Sequence, residues 1–220
     1  MPRRTIPAPP RLHDLHLPEL ADGTSTTIHP YGSYEALAFT GDDLTGVDLS
    51  DIGFSDCSFT ALNTHELELT STRISDSLLA RLDIPTVAAA YARFRNTVLE
   101  HSRLGVLQCI EGTWDAVHVR GAKLGYLSLR GATVRDVLFT DCVIGELDLT
   151  GARVERLAFT DSELSTLDVS GATLRDVDLR RLDLPEITGL SHLRGAMIDH
   201  LQLQQLAPQL AAHLGIDVED

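Results

Sequence analysis

Three cysteines, Cys57, Cys109 and Cys142, and nine histidines are the residues best suited to metal or nucleophilic chemistry. The cysteines have no Cys-x-x-Cys spacing, so neither a zinc site nor a redox pair is indicated. His65, His101 and His118 are isolated in sequence, and His13 and His16 could share a metal only on a helix, within a proline-rich stretch. There is no Gly-x-Ser-x-Gly, no phosphate-cradling glycine loop followed by lysine and no dinucleotide fingerprint. Carboxylates are the one abundant candidate: 32 Asp+Glu against 18 Lys+Arg give a net charge of -14. Paired carboxylates catalyse only where burial drives their pKa values apart. An acidic surface of this size excludes a basic clamp on nucleic acid phosphates. What the carboxylates do depends on the elements that place them.

With 220 residues and 43% hydrophobic content the chain can build a core, which excludes disorder throughout. No apolar run is long enough to span a membrane, and Met1-Pro2-Arg3-Arg4 lacks the apolar stretch of a secretory signal. The expectation is a cytoplasmic protein with no cofactor, no metal and no membrane contact.

The organising feature is a period of five. From Phe39 through Leu44, Leu49, Phe54 and Phe59 to Leu174, Leu179 and Leu184, thirty consecutive slots contain one polar residue, Thr64. About thirteen apolar slots are expected from the 43% background. Neither a helix of period 3.6 nor a strand of period 2 keeps such a stripe on one side. Regular inward turning of this kind makes a solenoid. The slot two residues earlier alternates large (Leu107, Val117, Leu127, Val137) and small (Gly112, Ala122, Ala132, Cys142). Gly121, Gly131, Asp141, Gly151, Asp161 and Gly171 precede small slots, which predicts two alternating turn types, one with positive φ. This ten-residue rule is taken to account for the glycines. All three cysteines fall in inward slots, where a thiol serves as a small hydrophobe.

These units resemble the pentapeptide-repeat family, whose motif is Ala-(Asp/Asn)-Leu-x-x. The nearest matches are Val47-Asp48-Leu49, Leu147-Asp148-Leu149, Leu167-Asp168-Val169 and Val177-Asp178-Leu179. The resemblance implies an all-β fold, a right-handed quadrilateral β-helix of about seven coils with four repeats in each. Residues 1–36 are expected to be an N-terminal tail and cap over the first coil, 37–188 the β-helix, and 189–220 a helical cap or dimerisation segment. Thr64, Thr72, Ser77, Ala89 and Trp114 break the size or polarity of the stripe between about 62 and 115, which leaves the regularity of those coils open, while the register is kept through Trp114 because Gly112 beside it makes room. At the C-terminus Asp199 is a plausible N-cap and Gly215 a stop. Between them Leu203, Leu206, Leu210 and Leu214 form an apolar stripe, and Pro208 predicts two short helices. The stripe either lids the last coil or joins two copies into a homodimer.

With coils of twenty residues, the carboxylates sort onto one side. One face carries Asp42, Asp43, Glu66, Asp83, Glu146, Glu163 and Asp183 against Arg103 and Lys123, and the next carries Asp48, Asp51, Glu68, Glu111, Asp148 and Asp168 against Arg130. A packed solenoid offers no catalytic cavity, so the expected function is a non-catalytic protein-binding solenoid with an acidic side. The resemblance implies a second reading: a DNA-mimicking modulator of DNA gyrase or topoisomerase IV, of the quinolone-resistance type, acting without binding nucleic acid itself. A structural or orphan repeat protein is the third.

Overall fold

Each five-residue unit supplies one side of a four-sided coil in a computed structural model of the chain, which describes residues 6–183 and 186–218. The first five residues of the expected tail, the slot Leu184 and the acids Glu219 and Asp220 lie outside the described residues. Strands pair in parallel with those one coil on, Arg93 with Thr113, Thr113 with Thr133 and Thr133 with Arg153, a step of twenty residues. Long strands such as Arg93–Glu100 and Thr113–Arg120 run along two sides of the coil, and shorter ones such as Arg103–Gln108 and Lys123–Ser128 along a third. They stack into a thirteen-stranded and a seven-stranded sheet. The fourth side is closed by backbone bonds between coils, for example Leu129 N–H to the Asp148 carbonyl.

The inward stripe is the core. Leu44, Leu124, Phe139 and Ile144 are fully buried, and rings stack from coil to coil: Phe39 on Phe59 and Phe139 on Phe159, each with centroids 5.1 Å apart. The cysteines are free and buried as the register places them, and burial pushes the Cys109 thiol up to about 12.

The solenoid has about nine coils, more than the seven expected. At one end Ala21 pairs with Leu37, sixteen residues on, and at the other Val177 pairs with Ala196, nineteen on. Neither end coil keeps the twenty-residue length, so neither shows in a five-residue count.

Residues 62–115 keep the register and form regular coils: Gly53, Arg73 and Arg93 stack in line, as do Ser58, Leu78 and Val98. The polar inward residues fit because they bond to backbone. Thr72 donates to the Leu49 carbonyl at 2.6 Å, Ser77 donates to the Ser75 carbonyl and accepts the Cys57 N–H, and Thr64 donates to the Glu66 carbonyl. What remains is a void of about 30 Å³ lined by Leu67, Val87, Phe94, Leu107 and Trp114 among others. An apolar void of this kind stays dry.

The corners also depart from the ten-residue rule. Ala116, Asp136, Arg156 and Asp176 have positive φ as well as Gly121 and Gly131, so three corners in four are left-handed. At the fourth, Gly105, Gly125 and Gly145 repeat every twenty residues, and a Cβ on Gly125 would stand 2.5 Å from the Gly105 carbonyl oxygen. These glycines are needed for close approach between coils. Gly125→Ala is expected to destabilise by about 1–3 kcal/mol, since backbone must move. Urea unfolding checks this; an unchanged midpoint would remove the steric explanation.

The described part of the tail before Ala21 runs along the outside of the rod, and from Ala21 the chain pairs with the first coil. The Ala8 amide donates to Asp176 at 3.2 Å and the Arg11 amide to Asp136 at 2.8 Å. Those aspartates are two coils apart, roughly 10 Å at ~4.8 Å per coil, which matches three extended residues at ~3.3 Å each. Prolines at 7, 9 and 10 favour that extension. Leu12 to Leu15 then lie beside Val98, Ala116 and His118 before Ala21 joins the first coil. Beneath this strap Arg156 donates to both oxygens of Asp136, at 2.5 and 2.8 Å, with both side chains only 9% exposed.

At the other end a single helix, α1 (His200–Leu214), replaces the two expected. Pro208 lies inside it, and because Pro208 and Gln204 are exposed, the carbonyl that loses its bond faces water. Asp199 and Gln202 form a reciprocal capping box, and Gly215 ends the helix in the left-handed conformation. Gln202 also donates to the Leu179 and Leu182 carbonyls, pinning α1 to the last coil. Leu206 is buried and Leu210 half-buried, whereas Leu203 and Leu214 are exposed, so only part of the stripe lids the coil. No helix among the described residues is long and apolar enough to cross a membrane.

Candidate interaction face

The Asp of the repeat has a local job. Asp43, Asp48, Glu68, Asp148 and Asp168 each accept the backbone N–H two residues on, from Thr45, Ser50, Thr70, Thr150 and Ser170 at 2.8–3.0 Å. Such bonds close the turn after the strand. Hydrogen bonds with Thr45 and Ser50 hold Asp43 and Asp48 below the usual carboxylate range. The motif acid is thus explained by turn chemistry even where it also meets solvent.

Two of the carboxylates expected on the acidic side are not free to meet a partner. Asp148 is 3% exposed, covered by the Tyr126 hydroxyl at 3.0 Å and by Arg130 at 3.2 Å. Burial works to raise its pKa, but the hydrogen bonds from Thr150 and Tyr126 outweigh it and keep the group ionised. Asp42 is half-buried and accepts both the amide and the hydroxyl of Ser25, tying the N-terminal segment to the coil below. Glu68 and Asp168 are half-buried. Asp43, Asp48, Asp51, Glu66, Asp83, Glu111, Glu146 and Glu163 are exposed.

The register shows a pattern that face sorting alone does not. One straight column runs Asp43, Asn63, Asp83, Arg103, Lys123, Val143, Glu163. A second runs Glu66, Thr86, Val106, Tyr126, Glu146, and a third Asp48, Glu68, Ala88, Gln108, Ser128, Asp148, Asp168. In each, three successive coils lack a carboxylate, so that the flanking acids are four coils apart: Asp83 to Glu163, Glu66 to Glu146, Glu68 to Asp148. At ~4.8 Å per coil the gap is roughly 19 Å. In these three columns the acidic side is two acidic patches separated by a belt that is neutral in two of them and basic, through Arg103 and Lys123, in the first; the exposed Glu111, at the corner beside the third column, lies level with the belt. The twenty-residue spacing of those two cations is the sequence signal for the belt; a sum of charges over the face hides it.

Among the described residues no three His, Cys, Asp or Glu side chains group as a metal site. His65 and His101 are exposed and His118 is half-buried, where burial lowers its pKa.

An inward five-residue stripe that closes a coil every twenty residues makes this chain a four-sided parallel β-solenoid. No protein-family profile matches the sequence, and no curated protein matches it. Solved structures similar to the chain include a trypsin-treated variant of QnrB1, a plasmid-mediated fluoroquinolone resistance protein, at 18% identity over 87% of this chain and 91% of that one, with a TM-score of 0.30. The full-length QnrB1 structure matches at 16% identity over 86% of this chain and 94% of that one, with a TM-score of 0.26. Superpositions this loose assign no residue a role; the solenoid stands on its own register.

Proposed function

We propose that the protein is a non-catalytic solenoid that binds a protein partner through the side carrying the two acidic patches. The observation that supports this is the exposure of Asp43, Asp48, Glu66, Asp83, Glu146 and Glu163 on one side of the rod, none of them in an ion pair among the described residues. On the opposite side the charges neutralise one another: Arg95 pairs with Asp76, Arg120 with Glu100, and Glu155 with Arg135, Arg156 and Arg175. Unpaired surface charge of one sign steers association and sets partner choice.

Duplex DNA presents one charge per ~1.7 Å of axis without interruption, so the belt makes this side an incomplete imitation of it. A supercoiling assay with purified DNA gyrase separates the two modes: inhibition or protection at micromolar protein would favour the DNA-mimic reading over a partner matched to separate patches. For the binding face itself, affinity capture from cell extract should recover a partner that Asp43→Lys/Asp83→Lys/Glu163→Lys loses and Asp76→Lys/Glu155→Lys keeps. Equal capture by both variants would place the interface elsewhere.

A further inference from the structure

The belt defines what the partner must look like, an inference that rests on the proposed binding side. Arg103 and Lys123 occupy neighbouring strands in direct register and are both exposed. Arg81 and His101, also exposed, line the same open groove. Among the described residues neither Arg103 nor Lys123 has an ion pair or side-chain hydrogen bond, even though Asp83 is the register partner of Arg103. Like charges directly opposite on adjacent strands are unfavourable, and Asp83, which lines the same groove, forms no ion pair with either cation. In this column the carboxylates bracket the two cations, Asp83 one coil before Arg103 and Glu163 two coils beyond Lys123.

We infer that the partner is a protein surface with the opposite order of charge: cationic side chains at both ends of a span of roughly 19 Å, and Asp or Glu carboxylates between them that meet Arg103 and Lys123. The arrangement also acts against wrong partners. A continuous cationic stripe would meet both acidic patches but be repelled at the belt, which is how an unfavourable element creates specificity. Val106 and the half-buried Tyr126, in the next column, give the centre of the belt an apolar floor on which such a contact can exclude water.

Three fluorescent peptides test this, each with lysine blocks at both ends joined by Gly-Ser spacers to a central block of glutamate, serine or lysine. In anisotropy titrations at low salt the wild-type protein is expected to bind the glutamate-centred peptide about threefold to tenfold more tightly than the serine-centred one, and the lysine-centred one no better than the serine-centred. Arg103→Glu/Lys123→Glu should make the lysine-centred peptide the tightest, and Arg103→Gln/Lys123→Gln should abolish the preference, with circular dichroism reporting that both keep the solenoid. Tightest wild-type binding of the lysine-centred peptide, or an order unchanged in the variants, would overturn the inference and leave the acidic binding side standing. Absence of binding by all three would remove both.

Discussion

Arg156→Met should destabilise the protein by about 3–5 kcal/mol in urea unfolding, because it leaves Asp136 as an unpaired carboxylate under the N-terminal strap. Arg156 donates to both Asp136 oxygens and also pairs with Glu155, while Asp136 holds the Arg11 amide. Loss of the arginine therefore loosens the pair and the strap together, and limited proteolysis before residue 16 should accelerate in the variant. Asp136→Asn/Arg156→Met should recover much of the loss, since removing both charges leaves none buried without a partner. If the single variant unfolds at the wild-type midpoint, the pair does not anchor the strap.

The same pair carries a pH signature. Burial works to raise the Asp136 pKa, but the hydrogen bonds from Arg156 and the Arg11 amide and the charge of Arg156 hold it below the usual carboxylate value. A carboxylate whose pKa is lower folded than unfolded stabilises the fold above its unfolded pKa, about 3.9, and that contribution disappears as pH falls through the folded value. Without Arg156 burial raises the Asp136 pKa, so the gap between wild type and Arg156→Met should be largest at neutrality, begin to narrow above about pH 4 as the variant's carboxyl takes up its proton, and stop changing only below the wild-type folded value.

Phe139→Ala is the second large expected loss, about 3–5 kcal/mol. The ring is 0% exposed, stacks on Phe159 and lies 6.5 Å from Trp114, so truncation opens a hole that spans three coils. Because each coil is stabilised mainly by its neighbours, the variant should also unfold in two steps, as the rod is weakened near its middle. A single transition at an unchanged midpoint would show that the aromatic stack contributes little.

The repeat was legible because every inward slot from Phe39 to Leu179 repeats at a fixed distance in sequence. Thr64, Thr72 and Ser77 looked like interruptions because their type was visible and their backbone partners were not. Gly105, Gly125 and Gly145 marked the twenty-residue coil directly, yet a ten-residue rule built on Gly121, Gly131 and Gly151 obscured them. The strap lay beyond sequence reading: Ala8 and Asp176 are 168 residues apart and belong to no common pattern. For the binding side, outward position was readable and accessibility was not. Asp148 and Asp168 occupy the same column, but Tyr126 and Arg130 fold over the first and leave the second half-exposed.

Carboxylate-selective footprinting by carbodiimide labelling and mass spectrometry, performed with and without the captured partner, tests the binding side most directly. The account predicts that Asp43, Asp83, Glu146 and Glu163 lose reactivity in the complex while Asp76 and Asp115 on the opposite side keep theirs. Protection of Asp76 and Asp115, with Asp43 and Glu163 still freely labelled, would contradict it.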